Sequence, residues 1–539
     1  MGTKQYDSAT DLITFSRASG GTALSKISYS NDELVTNGTF DTDATGWVGN
    51  NSHYSHTIES QRLKVVTGGS GQWNYAQTSV SGLTIGKMYR FQASSFVGTT
   101  ARHRISLGTY SGQSYDIVNQ GLGVNYSQTV DMTFTATTTV VYVSLQNTDG
   151  VNGSTTFFDN ISVKEVLFDQ ADGTLQLFNY GNNIPRIEYD ATGAVKGLLV
   201  EEARTNLVRN SGDVAGTFWA GTMTLGTVTA GSPFGTYQTI SPTQNHSNLG
   251  TAQRYQIGKT LTSGSTYVGW ALVKYSAGSG WFVIRPYDTV NTGQRAYFDL
   301  QNGVVGSKDT LIIDHGMVDY GDGWWLCWAS SNAASTSGGF VVEMPNGDDV
   351  LSCSAADVIL IAGSQFEQGA FPTSYIPTTG AAATRAADIA IIPRSSFGHH
   401  NEASTWVVEF TPTFPSVDTN QVVLQRYGAG YDFYIWSTSS GTMTASYMNS
   451  AASPYSPITA NQTSKIAVVL KHGEYLSVCV DGGSVSQNSV LSNTTVHAPP
   501  VVGWANVDYQ LAGDQLGHIK SIQYYPRRLT DTQLQELTT

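Results

Sequence analysis

The sequence predicts an all-β protein built from several two-sheet sandwiches, and three observations carry that expectation. Only 13% of the residues are charged, while 56 glycines, 28 tyrosines and abundant Ser, Thr and Asn suit short strands joined by many turns. Apolar and polar residues alternate with period 2 over short runs, as in Val141, Val143 and Leu145 with Tyr142 and Ser144 between them. At 539 residues the chain is also too long for one core, since domains average roughly 100–200 residues.

Three blocks of strand-like alternation follow one another. The first, residues 31–166, opens with ELVTNGTFDTDATGWV and closes with TTFFDNISVKEV, and its turns are marked by TGGSGQW and TYSGQS. The second, residues 206–378, opens in parallel with NLVRNSGDVAGTFWAG and closes with DVILIAGSQFEQGAFPTSYIPT, so the two read as diverged copies of one module. The third, residues 397–539, holds the strand WVVEFTPTF and the hairpin KIAVVLKHGEYLSVCVDGG around a His-Gly turn. Its tail reads as a short helix: Thr530 and Gln533 form a capping box, and Leu529 with Leu534 forms the hydrophobic staple. The remaining stretches are a segment at 1–30, expected to serve attachment, a turn-rich connector at 167–205 and a small-residue linker at 379–396.

A formal net charge of −13 disfavours nucleic acid or an anionic membrane as partner, because both require a clustered positive surface. No run approaches the roughly 18–20 apolar residues that span a bilayer, and the start MGTKQYDSATD lacks a signal-peptide pattern. Cys327, Cys353 and Cys479 form no close pair and are expected to be buried free thiols.

Four phrases, ITFSRASGGTA (13–23), PRIEYDATGAVKGLLVEEARTNLV (185–208), DYGDGWWLCW (319–328) and EQGAFPTSYIPTTGAAATRAADIA (367–390), resemble a group of tailed-bacteriophage virion proteins with lectin-like modules. In that group the first phrase leads straight into the second, so the first block looks like an insertion at a loop. That block resembles carbohydrate-binding-module jelly rolls, through its Asn-Gly-x-Phe and Gly-Trp opening and its Phe-Asp-Asn-Ile-x-Val close. The last block is similar to the concanavalin A or laminin-G-like lectin fold, through SVCVDGGSV and LGHIKSIQYYPRRLTDTQLQEL. The expected architecture is therefore two tandem β-sandwich jelly rolls and a C-terminal concanavalin A-like sandwich.

Sugar rings stack their C–H faces on aromatic planes while amides and carboxylates meet the hydroxyls. Trp73 and Tyr75 in GQWNYAQ, and Tyr431, Tyr434 and Trp436 in YGAGYDFYIW, stand in suitably polar, Gly-flanked company and are the candidate carbohydrate-binding residues. Trp324, Trp325 and Trp328 read instead as structural residues of a strand, at least one of them in the core. The resemblance to carbohydrate-binding jelly rolls implies a structural calcium ion, for which Asn37, Asp41 and Asp159 are the candidate ligands. No other cofactor is expected.

Catalytic signatures are absent. There is no nucleophile elbow, phosphate loop or Cys-x-x-Cys pair; Glu201 and Glu202 read as salt-bridging residues, and His399-His400 as a solvated loop. The resemblance implies a non-enzymatic virion subunit, a tail fibre or spike made in the host cytoplasm. It would bind host-surface glycans, contact other virion proteins and form a homo-oligomer, most simply a trimer. The alternatives are a capsid decoration or head-fibre protein and a polysaccharide depolymerase.

Overall fold

The computed structural model describes residues 13–49, 54–68, 74–99, 102–112, 115–123, 127–247, 253–291, 293–393, 403–412, 421–426, 433–437, 442–447, 450–457, 459, 462–471, 474–489, 509–511 and 517–539. The chain forms two compact units, one of Lys26–Thr174 and one of Met1–Ser25 with Leu175–Thr539.

The Lys26–Thr174 unit is an antiparallel jelly-roll sandwich. One sheet runs, in spatial order, Val48–Gly49, Asn74–Ser81, Val140–Asn147, His103–Gly108 and Val118–Gly123. The other carries Gln128–Thr135, Met88–Val97 and Thr155–Phe168, with Leu63–Thr67 and Tyr54–Ile58 added beside the start of the last strand. Period-2 alternation turns Ala76, Ile105, Leu107, Val141, Val143 and Leu145 of the first sheet onto Leu63, Val65, Phe91 and Phe158 of the second, and all ten are fully buried. Burying each large apolar side chain is worth about 1.5–3 kcal/mol.

Leu175–Thr539 contains a second jelly roll whose strand order matches the first position by position. Ala220–Gly221, Gln253–Thr260, Ser337–Glu343, Trp281–Asp288 and Ala296–Asp299 make one sheet, extended by Val304–Lys308. Gly235–Pro242, Val358–Gln368, Thr266–Ala277 and Trp324–Asn332 form the body of the other. Local details repeat as well. Trp47 Nε1 donates to the carbonyls of Thr36 and Asn37, and Trp219 Nε1 donates to that of Asn210. Tyr89 Oη accepts the Thr84 amide at 2.9 Å, and Tyr267 Oη accepts the Thr262 amide at 2.8 Å. Trp324 and Trp328 are buried strand residues, and the three cysteines are buried and free.

The third sandwich has two seven-stranded sheets around Trp406, Val408, Leu424, Ile435 and Val468. Its edges draw on distant segments. Thr14–Ser16, from the stretch expected to serve attachment, pairs with Ile389–Ile392, and Arg186–Tyr189 and Val195–Val200, from the expected connector, join Gly517–Tyr525. These segments are strands because Phe15, Leu198 and Val200 belong to this core. The helix Asp531–Thr538 is capped by Thr530 and Gln533, with Leu529 and Leu534 packed together. Among the described residues no helix is long and apolar enough to cross a membrane.

Three of the four phrases meet in one buried ion cluster. Arg17 of FSRAS bonds Asp388 at 3.0 Å, Arg186 of PRIEYD bonds both Asp388 and Glu201, and Arg385 lies 3.4 Å from Glu201. All five side chains are essentially inaccessible. Burial opposes the Glu201 charge, but Arg385 and Arg186 outweigh it and hold the carboxyl down at about 2. Glu202 pairs with Arg204, so both glutamates do serve salt bridges.

Candidate functional site

The site candidate is the outer face of the five-stranded sheet in the Lys26–Thr174 unit. The alternation that buries Ala76, Val143, Leu145 and Ile105 turns Tyr75, Gln77, Tyr142, Ser144, Gln146, Arg104 and Ser106 to the opposite face. Cross-strand register then sorts them into rows. Gln146 stands opposite Tyr75 on one side and Arg104 on the other, while Ser144 stands between Gln77 and Ser106.

Serine and glutamine on an outer face would be expected to meet water, yet Gln77, Ser106, Ser144 and Gln146 are buried. The Gln77 amide nitrogen donates to the Gly112 carbonyl at 2.5 Å and to Ser144 Oγ at 2.7 Å, and its oxygen accepts from Ser111 Oγ at 3.0 Å. Ser144 Oγ in turn donates to the Gly112 carbonyl at 3.0 Å. The turn after the His103–Gly108 strand is thus stitched over the middle row; in the next row Tyr75 and Arg104 are half-buried and Gln146 between them is fully buried. Gln146 Nε2 donates to Ser106 Oγ at 3.1 Å, whereas its Oε1 is buried without a partner. Tyr115, 49% exposed, lies beside this row, with the Arg104 guanidinium 5.8 Å from its ring centre. Partial burial pushes the Tyr75 phenol up, so it stays a neutral ring with a donor hydroxyl.

Of the residues singled out in the sequence, Tyr75 is in this row, and Trp73 lies outside the described residues. Tyr434 and Trp436 belong to the strand Phe433–Ser437 of the third sandwich, on either side of the core residue Ile435, and Tyr431 lies outside the described residues. The described members of the two aromatic clusters thus belong to different units. Gln77, Arg104, Tyr115 and Gln146 were missed. Their signal is a period-2 row of amides and hydroxyls on strands that pair, which emerges only with the register.

Each calcium candidate has a local hydrogen bond. Asn37 Nδ2 donates to the Asp43 carbonyl and carboxylate at 2.6 and 2.8 Å, while Asp41 accepts from Thr39 Oγ1 and Asp159 from the Asn160 amide, each at 2.7 Å. Burial raises the Asp159 carboxyl, and the Asp41 charge adds to it. Among the described residues no three His, Cys, Asp or Glu gather as a metal site. A calcium ion here would be held by oxygens of Asn37, Asp41 and Asp159, since the Asn37 bonds to Asp43 engage its amide nitrogen and not the oxygen that ligates a metal. Near them, a cleft of about 270 Å³ lies against the second sheet, lined by Glu33, Thr39, Gln92, Thr129, Asn160 and Ser162. Its carboxylate is already engaged, since Glu33 accepts from the Val35 and Val163 amides and from Ser162 Oγ. His399 and His400 lie outside the described residues.

No family model matches the chain, and no curated protein sequence matches it. Among solved structures, a CBM4 structure is 17% identical with a TM-score of 0.21, covering 24% of this chain and 99% of that one. The N-terminal CBM22-1–CBM22-2 tandem domain from Paenibacillus barcinonensis Xyn10C is 13% identical with a TM-score of 0.23, covering 64% and 99%. Trypanosoma rangeli sialidase is 10% identical with a TM-score of 0.22, covering 95% and 98%. At such scores these likenesses carry no weight in assigning a function.

Proposed function

We propose that the protein binds carbohydrate on the outer face of its first sandwich and acts as a non-enzymatic adhesion subunit of a tailed-phage particle. The observation that carries the binding reading is the Tyr75–Gln146–Arg104 row flanked by Tyr115. It sets aromatic planes for a sugar C–H face beside a guanidinium group for its hydroxyls. The phage reading rests on the four phrases, of which three supply the buried ion cluster of the other unit. Fibre or spike is the preferred role. Many copies on one particle, a trimer being the simplest arrangement, would convert weak single-site affinity into firm capture of a host surface. Host glycans and other virion proteins are the partners.

The test is an array of bacterial surface glycans probed with the full chain and with Tyr75→Ala. Binding that weakens about tenfold or more in the variant supports the reading, because a central aromatic carries an outsized share of such contacts. Silence from the folded wild-type chain would sink it in favour of a capsid decoration role.

A further inference from the structure

Cations around the second sandwich are neutralised where they stand: Lys196 pairs with Glu188, Arg204 with Glu202, and Arg285 and Arg295 share Glu343. In a chain of 41 acidic and 28 basic residues that is the expected outcome. Arg209 and Lys259 depart from it. They meet at the rim of the second sandwich, where the opening phrase NLVRN reaches the strand Gln253–Thr260. Gln256, itself buried, ties them together: its Oε1 accepts from the Arg209 amide and from Lys259 Nζ, each at 2.9 Å, and its Nε2 donates to the Arg209 carbonyl. The Arg209 guanidinium lies 4.0 Å from the Phe218 ring centre, and stacking on that ring positions it. Both residues are half-buried, and among the described residues neither pairs with a carboxylate. Burial and the Arg209 charge push the Lys259 amine down to about 8, with no acid to hold it up. The fold does not demand this meeting of like charges. LVTN in the first sandwich has Thr36 where LVRN has Arg209, and both openings make the same tryptophan bond.

We infer that Arg209 and Lys259 form an anion site on the second sandwich, one that takes a carboxylate or phosphate group carried by a sugar. Two like charges held half out of water repel each other, and an oxyanion shared by them replaces that repulsion with charge-assisted hydrogen bonds. Lys259 keeps N–H donors beyond the one given to Gln256, and the Arg209 fork is not spent on an acid of the protein. The hydroxyls of a neutral sugar carry no charge to offset the repulsion, so acidic sugars are the class selected. That the oxyanion is borne on a sugar rests on the carbohydrate reading above; the anion site itself does not, since it lies in the other unit from the Tyr75–Gln146–Arg104 row.

Lys259 reports on the site through its own reactivity. The full chain is labelled with trace acetic anhydride at about pH 8, where the Lys259 amine titrates, and each lysine is read by mass spectrometry. Glucuronate, a hexose phosphate, inorganic phosphate or glucose is present in turn, with ionic strength matched by chloride. Labelling of Lys259 should fall about fivefold with glucuronate or the hexose phosphate, the change in free amine as its pKa climbs from about 8 to about 9. Glucose should leave it unchanged. Protection by one acidic sugar and not the other tells carboxylate from phosphate. Arg209→Gln should lose the protection and Arg209→Lys, which keeps the charge, should retain most of it, both with the wild-type melting curve. The inference is overturned by no protection from either acidic sugar, by protection from inorganic phosphate alone, by equal protection from glucose or chloride, or by an Arg209→Gln protein that is protected like the wild type. None of these outcomes touches the first face, whose Tyr75→Ala array test stands apart; silence on the array beside protection here would sink only the first-face reading.

Discussion

The first and second jelly rolls share strand order, corner tyrosine and tryptophan anchor, but their outer faces solve the problem of buried polar groups differently. Around Ser144 the first face uses neutral groups, with Gln77, Gln146 and Ser106 bonded to one another or to the Gly112 carbonyl. The second buries a carboxylate between two guanidiniums at Glu343, and desolvation beside it pushes the Tyr297 phenol to about 12. A neutral network can open to a ligand at the cost of individual hydrogen bonds. A buried ion triad cannot, because freeing one member strands the others in a medium of low dielectric. The difference fits the proposed recognition role of the first face and gives the second a rigid one.

The strongest way to break this contrast is Glu343→Gln. It leaves Arg285 and Arg295 without their shared anion and should destabilise its unit by about 3–5 kcal/mol, read as an earlier melting transition in calorimetry. Gln146→Ala, which removes a group with one bonded and one unpartnered polar end, should cost about 1 kcal/mol. If both substitutions cost the same, the two faces are energetically alike and the division of labour fails.

A smaller effect tests the likeness instead of the contrast. Tyr89→Phe and Tyr267→Phe each remove the phenol oxygen that accepts a loop amide, from Thr84 and Thr262 respectively. Each should lower stability by about 1–2 kcal/mol, because an amide is left unsatisfied, and the two losses should agree. Chemical denaturation of the two single variants checks this, and a several-fold disparity would show that the corners only look equivalent.

What the sequence disclosed follows from the range of the interactions involved. Alternation at Val141, Val143 and Leu145, and the capping box at Thr530 and Gln533, depend on neighbours a few residues away and were legible. The pairing of Thr14–Ser16 with Ile389–Ile392 was not, because a three-residue strand has no period to read and its partner is hundreds of residues distant. The site behaves likewise. Tyr75 was visible as an aromatic in polar company, whereas Gln146 and Arg104 look like ordinary strand residues until register sets them side by side. Trp324 and Trp328 are core, in keeping with the expectation that at least one of the three tryptophans is, since the alternation with Cys327 is local. Nothing local distinguishes Glu343 from a solvated strand glutamate, because its two arginines arrive from other strands.

The smallest expected effects lie at the module openings, where the phrases LVTN and LVRN place Asn37 and Asn210 at φ values of 54° and 50°. This left-handed conformation crowds Cβ against the following carbonyl, and asparagine tolerates it better than other side-chain-bearing residues. The turn brings the carbonyl of each asparagine to its tryptophan N–H, at 3.3 Å for Trp47 and 3.2 Å for Trp219. Three residues after Asn210, Asp213 caps the Ala215 amide at 2.9 Å; in the longer first opening Asp43 caps Thr45 at 2.8 Å and also receives the Asn37 side chain. Glycine, which adopts positive φ without strain, should therefore replace Asn210 within about 0.5 kcal/mol, and alanine should cost about 1 kcal/mol. At Asn37 the alanine cost should be slightly greater than at Asn210, because the two solvent-exposed bonds to Asp43 are lost as well. Equal melting temperatures for the Asn37→Ala and Asn37→Gly proteins would mean that the turn in the first module is set by Asp43 and Trp47 alone, and that the shared left-handed asparagine is not what aligns the two openings.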